Sequence, residues 1–315
     1  MSAPPLIVLG VRRSGTTLLR VMLDRSAELA IPDESYFIPQ LADRHRGPVE
    51  PRAFLDDLRR LPTVREWGIN VAGVTARLEP GSSPGAAIAA VYLEYAAQHG
   101  KQRWGDKTPM YMQHLPTLER LFPDALYVHL IRDGRDAAIS FLQMPAGIVT
   151  RTWGHPEDVA GFACQWRTEV AAAQALGRRV GPRYFEVRYE ELVAEPEGEL
   201  RRVCVHAGLA FEPSMLGYAA DADVSAKPHQ QSLSRPPTPG LRDWRTEMSE
   251  ADVRAFDAVA GDLLAELGYA TSGPPTLGGR FRRVWYAARV QAWNGVGRAV
   301  RRSPLWRRRH PPLVT

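Results

Sequence analysis

Apolar residues form two kinds of pattern along the chain, short continuous runs and stretches with helical spacing. The run Leu6–Gly10 predicts a buried strand, and helical spacing follows from Thr16 to about Arg25. The segment 116–143 repeats this order, with a helix, a strand at 125–131, a turn and a second helix. Because strands alternate with helices, we predict an α/β fold in which helices flank a central parallel sheet on both faces.

The other segments predict further helices and loops. Residues 184–209 read as strand, loop and helix, and helical spacing recurs at 84–100, 158–177 and 249–269. Ser249 precedes the last of these helices and is the expected N-cap. The stretch 225–245 is rich in Ser, Pro and Gly, which favours a loop.

The domain organisation follows from these elements. We expect one domain over 1–270, with a helical or irregular insertion at 41–100. A linker rich in Gly and Pro is expected at 271–279, before a tail at 280–315 that is rich in Trp and Arg.

The turn after the first strand has the spacing of a phosphate-binding loop. Gly10 and Gly15 are spaced as G-x-x-x-x-G, so that backbone N–H groups and the N-terminus of the next helix can face an anion. The lysine that reaches ATP phosphates in such loops is absent, and Thr16 and Thr17 follow the second glycine. The turn carries its positive charge before the second glycine instead, at Arg12 and Arg13, which are followed by Ser14.

A second turn of the same kind follows the strand at 125–131. Arg132 comes directly after this strand, and Ser140 lies two turns into the next helix. In open α/β sheets, ligands bind at the carboxyl ends of the strands, where both turns are expected. A forked guanidinium beside a hydroxyl suits a second phosphate. Two anion-suited turns on one sheet therefore predict a ligand with two anionic groups.

Three segments together resemble a known family. "GVRRSGTTLLRVMLD", "IRDGRDAAISF" and "VRYEELVAEP" are similar to signature segments of sulfotransferases that use 3′-phosphoadenosine 5′-phosphosulfate (PAPS). The first segment, continuing into "IPDESYFIP", resembles tyrosylprotein sulfotransferases and their bacterial relatives most. The resemblance covers roughly 5–40 and 102–245 and implies a P-loop-like three-layer fold. It also implies a PAPS co-substrate and no metal. The resemblance does not extend to 41–100, which we expect to line the acceptor pocket together with 143–160.

The resemblance also implies roles for individual residues. The first turn, which includes Ser14, would bind the 5′-phosphosulfate, with Arg13 at the bridging oxygen and Lys107 beside the sulfuryl group. Arg132 and Ser140 take the places of the 3′-phosphate ligands, and Tyr189 the place of a tyrosine near the adenine. A basic lid loop corresponds to 232–245, where either Arg235 or Arg242 would contact the donor.

An acceptor hydroxyl needs a base, and the sequence offers several carboxylates. Glu34 matches a catalytic glutamate of the tyrosylprotein enzymes, and the adjacent Asp33 stays an alternative. His129 lies within a predicted buried strand, where a hydrogen-bonded core histidine is the better expectation. Asp106 next to Lys107 is expected to form a structural ion pair. The acceptor itself stays open between a small molecule, a glycan, a lipid and a peptide tyrosine.

Two other functions remain compatible with these motifs. One is a small-molecule kinase of similar fold, against which the missing lysine argues. The other is a non-catalytic nucleotide-binding module, which does not need the set of Arg13, Glu34, Lys107, Arg132 and Ser140.

Composition adds a location and an uneven charge. Two cysteines without a metal or disulfide pattern favour the reducing cytoplasm. The net charge of +5 is carried by the tail, because the chain from Gly279 onward holds ten Arg and no Lys or acidic residue. The rest of the chain has 30 basic and 35 acidic residues, so its net charge is near −5. We expect no nucleic-acid partner. For the tail we favour packing on the domain or disorder over peripheral contact with a membrane, which stays an alternative. The oligomeric state is not predicted.

Overall fold

The structure is a computed structural model that describes residues 3–144, 156–220, 242–273 and 276–302. Five strands form one sheet in the order β2-β3-β1-β4-β5. Every strand pairs with its neighbours in parallel. The strands are β1 (Leu6–Leu9), β2 (Leu29–Ala30), β3 (Arg103–Asp106), β4 (Leu126–Ile131) and β5 (Tyr184–Arg188).

Helices occupy most of the remaining described chain. In chain order they are α1 (Thr16–Leu23), α2 (Ile38–Arg44), α3 (Pro51–Leu58), α4 (Pro62–Glu66), α5 (Val71–Arg77), α6 (Pro84–Gln98), α7 (Leu115–Leu121), α8 (Gly134–Leu142), α9 (Val159–Val180), α10 (Tyr189–Ala194), α11 (Pro196–Ala207), α12 (Trp244–Glu247), α13 (Glu250–Glu266) and α14 (Leu277–Arg302). Short 3-10 segments lie at Pro109–Gln113, Gly181–Arg183 and Pro213–Ala220.

The sheet separates two apolar clusters, which gives the predicted three layers. Alternate residues of β1 point to opposite faces, so Leu6 and Val8 pack with α1 and α11. Ile7 and Leu9 pack on the other side with α2, α6 and α9. The predicted α/β fold with a central parallel sheet is confirmed.

Several elements differ from the sequence-based expectations. The sequence pattern did not predict β2 and β3, and 41–100 holds three short helices, α3 to α5, before the predicted α6. Helix α10 follows β5 where a loop was expected. Helix α14 begins at Leu277, inside the expected linker. Ser249 caps α13 as predicted, accepting a hydrogen bond from the backbone N–H of Asp252 at 3.1 Å. In the described part of the chain, no helix is both long and apolar enough to cross a membrane.

Candidate active site

The turns that follow β1 and β4 lie side by side at one edge of the sheet. The two strands pair in parallel with Leu9 opposite His129, so their carboxyl ends meet. The turn after β1 has two residues in the left-handed region, Arg13 with φ 71° and Gly15 with φ 88°. A left-handed arginine is uncommon and costs conformational energy, which is typical of functional turns.

Two hydrogen bonds connect these turns. The Nε of Arg13 donates to the Oγ of Ser140 at 3.0 Å. The Nη1 of Arg132 donates to the backbone carbonyl of Arg13 at 3.2 Å, which the left-handed backbone of Arg13 makes accessible. The structure therefore brings the two predicted anion-binding turns into one crevice, although they are more than 100 residues apart in the chain.

The crevice contains buried polar atoms without protein partners. Among the described residues, the Oγ of Ser14 and the Nε of Arg132 are buried and have no hydrogen-bond partner. Such atoms are costly unless a ligand or water satisfies them. The guanidinium of Arg132 also lies 4.5 Å from the ring centre of Tyr189, at the start of α10. These donors and this ring fit an adenosine-type anion between the two turns.

Both the left-handed backbone at position 15 and the nearby Tyr189 ring favour glycine there. A Cβ at this position would lie 2.4 Å from the Tyr189 ring. Gly15→Ala should therefore weaken adenosine 3′,5′-bisphosphate binding at least about tenfold, since the added methyl group must displace the Tyr189 ring and such overpacking costs roughly 1–3 kcal/mol. Isothermal calorimetry measures the affinity. The control is Gly81→Ala, with φ 83° and no atom within 4 Å of the added Cβ. Equal affinities for both variants would contradict the role of the Gly15–Tyr189 contact.

The remaining residues of the first turn surround this crevice. Arg12 and Arg13 are half-buried, and Ser14 and Thr16 are buried. The methyl group of Thr16 packs where Gly10 leaves space, since a Cβ on Gly10 would lie 2.5 Å from it.

A lysine and a carboxylate lie beside the start of α1. The Nζ of Lys107, directly after β3, donates to the Oε1 of Glu34 at 2.5 Å and to the Oγ1 of Thr17 at 3.2 Å. The other carboxylate oxygen of Glu34 accepts from the hydroxyl of Tyr36. Lys107 is 2% exposed, whereas the Glu34 side chain is 27% exposed. The Glu34 carboxylate is thus partly exposed to solvent, while Lys107 lies buried beside it.

Burial lowers the pKa of two cationic side chains in this region, Lys107 and Arg13. Burial lowers the pKa of Lys107, and the Glu34 carboxylate partly offsets this effect by favouring the charged amine. Burial also lowers the pKa of Arg13, and the positive charges of Arg132 and Arg242 lower it further. Three neighbouring positive charges are a costly arrangement that an anionic ligand would relieve.

The alternative bases have other partners. Asp33 forms an ion pair with Arg20, whose Nη2 lies 3.0 Å from the Asp33 Oδ1. His129 is fully buried, its Nδ1 lies 2.6 Å from the Tyr184 hydroxyl, and burial lowers its pKa to about 3. His129 is therefore a neutral core residue, as its strand position predicted.

The expected Asp106–Lys107 ion pair does not form. The carboxylate of Asp106 accepts hydrogen bonds from the hydroxyls of Ser35 and Tyr92, both at 2.7 Å, while Lys107 turns to Glu34. Side chains of successive residues in a strand point to opposite faces, which separates the two charges. Burial raises the pKa of Asp106.

This buried hydroxyl network fixes the loop that carries Glu34, and sequence patterns did not reveal it. The backbone N–H of Ser35 donates to the Oγ1 of Thr108 at 3.0 Å, and its Oγ lies 2.7 Å from the hydroxyl of Tyr111. Tyr111 also accepts from the N–H of Ile38 at 3.0 Å. Ser35 is the residue next to Glu34, so these contacts set where the carboxylate can lie.

Of the two predicted lid arginines, the structure describes Arg242. Arg242 donates to Glu247 at 2.7 Å and is close enough to Arg13 to affect its pKa. Arg235 lies outside the described residues. Beyond Arg242, the ring of Trp244 packs on Arg135, whose guanidinium carbon is 3.7 Å from the ring centre. The described chain that begins at Arg242 is thereby attached to α8.

The sequence of this protein matches a family model. The model, described as the sulfotransferase family, matches residues 4–213, which include β1 to β5 and both turns. The chain belongs to the sulfotransferase family. The enzyme is therefore a sulfotransferase, and the expected family resemblance is confirmed.

Several relatives of this sulfotransferase carry names that specify an activity. Protein-tyrosine sulfotransferase A of Caenorhabditis elegans is 27% identical over 94% of this chain and 79% of its own length. The nodulation protein NoeE of Sinorhizobium fredii is 29% identical over 86% of this chain and 68% of its own length. A sulfotransferase domain from a Synechococcus olefin synthase has the same fold, with a TM-score of 0.57, 26% identity, and coverage of 82% of this chain and 96% of that domain.

The described residues offer no evident metal cage. Among them, no group of three or more His, Cys, Asp or Glu side chains is placed to hold a metal ion.

One buried carboxyl group near the first turn was not foreseen. Glu169 of α9 is 5% exposed and accepts hydrogen bonds from Gln165 at 2.8 Å and Gln113 at 3.2 Å. Burial raises its pKa to about 7, against the opposing effects of the two amides and of Arg12. The native state therefore binds this proton more tightly than the unfolded chain does.

This raised pKa gives a stability prediction. The stabilisation from the Glu169 proton is complete below the unfolded pKa and is lost as the pH rises through about 7. Glu169→Gln keeps the size and the hydrogen-bond acceptor but cannot ionise. The melting temperature of the variant relative to wild type should therefore rise between about pH 5 and about pH 8. Scanning calorimetry measures this difference, with Glu197→Gln as the control, because Glu197 is an exposed carboxylate on α11. A difference that stays constant or falls with pH would contradict the assignment.

Proposed function

We propose that this sulfotransferase takes a sulfuryl group from PAPS and transfers it to a hydroxyl group of its acceptor. One observation carries the proposal: the Arg13–Ser140 and Arg132–Arg13 hydrogen bonds join the turns after β1 and β4 into one cationic crevice. PAPS is an adenosine derivative with a 5′-phosphosulfate and a 3′-phosphate, and each turn suits one of these groups.

The residues of the crevice divide between the two ends of the donor. The turn formed by Arg12, Arg13, Ser14, Gly15, Thr16 and Thr17, at the N-terminus of α1, would hold the 5′-phosphosulfate. Arg132 and Ser140 would hold the 3′-phosphate, and Tyr189 would lie near the adenine. The buried, unpartnered Ser14 Oγ and Arg132 Nε support this assignment within the described chain. Arg242, and Arg235 from the lid segment, are the further candidates for donor contact.

Sulfuryl transfer needs a base for the acceptor hydroxyl and positive charge near the leaving phosphate. It also needs the acceptor oxygen and the leaving oxygen in line with the sulfur. When bound, PAPS supplies the sulfuryl group: a sulfur–oxygen bond to the acceptor forms as the sulfur–oxygen bond to the 5′-phosphate breaks. Glu34 accepts the proton of the acceptor hydroxyl, because its carboxylate is accessible and fixed by Lys107 and Tyr36. Its position rests on the Ser35 network below it.

Lys107 and Arg13 provide positive charge where negative charge builds up. An ammonium has three N–H donors, and two of those on Lys107 are directed at Glu34 and Thr17. The third would donate to an oxygen of the transferring group. Since Lys107 is buried, its charge is screened less than a surface charge. Sulfuryl transfer resembles phosphoryl transfer in needing positioned cations more than covalent chemistry from the protein.

The proposed acceptor is a compound with a hydroxyl group. Relatives named protein-tyrosine sulfotransferases act on a phenolic hydroxyl, which makes tyrosine peptides the first acceptors to test. The insertion at 41–100 is the proposed acceptor side, because it follows Glu34 and Tyr36 directly in the chain. We also place the enzyme in the cytoplasm; Cys164 and Cys204 are free and buried, as a reducing compartment allows.

A transfer assay tests the proposal. Purified protein is incubated with [35S]PAPS and a panel of tyrosine peptides, phenols, sugars and lipid headgroups, and with [γ-32P]ATP in parallel. We expect labelled sulfate ester from PAPS on at least one acceptor and no label from ATP, with Glu34→Gln as the inactive control. Label from ATP would favour a kinase, and PAPS binding without transfer to any acceptor would favour a non-catalytic module.

A further inference from the structure

Helix α14 presents a row of large apolar side chains to solvent. Leu277 is 84% exposed and Phe281 77%, and three further residues are more than half exposed. We call these five the exposed stripe: Leu277, Phe281, Val284, Trp285 and Val296. At about 100° per residue they fall on one side of the helix. Large apolar groups gathered on one face mark a binding surface, whereas scattered ones need no explanation.

The opposite side of α14 is attached to the domain. Tyr286 is 6% exposed within the main apolar cluster. Gly279 packs against the backbone of α13, where a Cβ would collide with the carbonyl oxygen of Ala258. Arg283 pairs with Asp262 of α13 at 3.8 Å, and Arg282 pairs with Asp158 at the start of α9. The helix is therefore held against the domain, and its exposed stripe faces solvent, with Trp285 at the edge of a pocket shared with α9.

Charge complementarity identifies the partner. From Gly279 onward the chain has ten Arg and no Lys or acidic residue, while the rest of the chain is near −5. Arg280 flanks the exposed stripe on one side, and Arg282 and Arg289 flank it on the other. A second copy of α14 would bring arginines against arginines, with no acidic residue in the tail to compensate. Negatively charged lipid headgroups above an apolar interior match both the arginines and the stripe.

We propose that α14 binds the surface of an anionic lipid bilayer through its exposed stripe. Phe281, Trp285 and the aliphatic members of the stripe enter the boundary between headgroups and acyl chains. Of the flanking arginines, Arg280 and Arg289 contact the anionic headgroups, whereas Arg282 stays paired with Asp158. The helix lies in the plane of the surface, so the attached domain is held at the membrane without a spanning segment.

Vesicle sedimentation with the full chain tests this proposal. One set of vesicles is phosphatidylcholine, and the other contains about a third phosphatidylglycerol, whose charge attracts basic segments. We expect at least about tenfold tighter binding to the anionic vesicles, with binding weakened by added salt. The double variant Phe281→Glu/Trp285→Glu should lose at least about tenfold of this affinity, because it removes apolar burial and adds repulsion.

Val205→Glu is the matched control. Val205 is an 82% exposed apolar residue on α11, so its replacement tests a similar surface change away from the stripe. This variant should bind the anionic vesicles like wild type, and circular dichroism should show the same helix content for all three proteins. Transfer activity toward a soluble acceptor should be equal in all three, which separates this proposal from the proposed sulfuryl transfer.

Three results would overturn membrane binding. Wild type that stays unbound on anionic vesicles as well as on neutral ones would show that the stripe has no lipid partner. Equal binding of the double variant would mean that charge alone attracts the protein. Sedimentation velocity without vesicles that shows a wild-type dimer and a monomeric double variant would identify a second copy as the occupant.

Discussion

Glu34→Gln should lower kcat for sulfuryl transfer by about 10²–10⁴, the usual contribution of a positioned general base. The amide keeps the size of the side chain and can still accept from Lys107, but it cannot take the acceptor proton. Because Glu34 belongs to the acceptor side of the crevice, the affinity for adenosine 3′,5′-bisphosphate should change little. Steady-state kinetics with [35S]PAPS gives kcat, and calorimetry gives the affinity.

The neighbouring carboxylate provides the control. Asp33 is adjacent in sequence but is paired with Arg20 at 3.0 Å. Asp33→Asn should therefore keep kcat within about threefold of wild type, since an ion pair that is partly exposed contributes little. Near-normal turnover of Glu34→Gln together with an inactive Asp33→Asn would assign the base to Asp33.

Arg13→Ala should lower kcat/KM for the donor by about 10²–10³, the range typical for removal of one preorganised transition-state donor. Arg13 contributes its charge at the centre of the crevice, between Ser140 and the backbone contact of Arg132. Both kcat and the affinity for the donor should decrease, because negative charge on the leaving group increases during transfer. Rates measured over a range of PAPS concentrations separate the two.

The exposed pair of Arg59 and Asp56 offers a comparison for Arg13. Arg59 lies on the surface after α3, with its Nη1 2.9 Å from the Asp56 carboxylate. Arg59→Ala removes one arginine from the surface and should leave kcat/KM unchanged. A fully active Arg13→Ala variant would exclude Arg13 from the reaction and leave Lys107 as the cation beside the transferring group.

The parts of this fold with strong local patterns could be predicted from the sequence. Continuous apolar runs revealed β1 and β4, and helical spacing revealed α1, α6, α8, α9 and α13. Both anion-suited turns followed from this, because each joins a recognised strand to a recognised helix. That these turns share one edge of the sheet is a consequence of parallel pairing between β1 and β4.

The elements that were missed lack such patterns. Strand β3 spans only four residues and carries a charge at each end, Arg103 and Asp106. The Asp106 carboxylate is buried only because hydroxyls from α6 and from the loop after β2 reach it. Contacts between distant segments decide such a position, and no local window of sequence contains them. The same applies to α3 to α5, each of eight residues or fewer.

The site residues show the same division. Arg13, Glu34, Lys107 and Arg132 could be named from motifs and resemblance, but the partners that orient them could not. Ser35 and Tyr111 fix the Glu34 loop, and Trp244 packs on Arg135 and so attaches the chain that follows Arg242 to α8. These residues lie in segments without a motif, and their roles depend on the packing of the finished fold.

The central claim is that two strand-end turns together hold both anionic ends of one nucleotide. Calorimetry with adenosine 3′,5′-bisphosphate and with adenosine 5′-monophosphate, on wild type and Arg132→Ala, tests it directly as a thermodynamic cycle. We predict that wild type binds the bisphosphate at least about tenfold more tightly, the effect of hydrogen bonds to a charged group. Arg132→Ala should lose this preference while keeping most of its affinity for the monophosphate. Equal affinity of wild type for both nucleotides, or an unchanged preference in Arg132→Ala, would contradict the account.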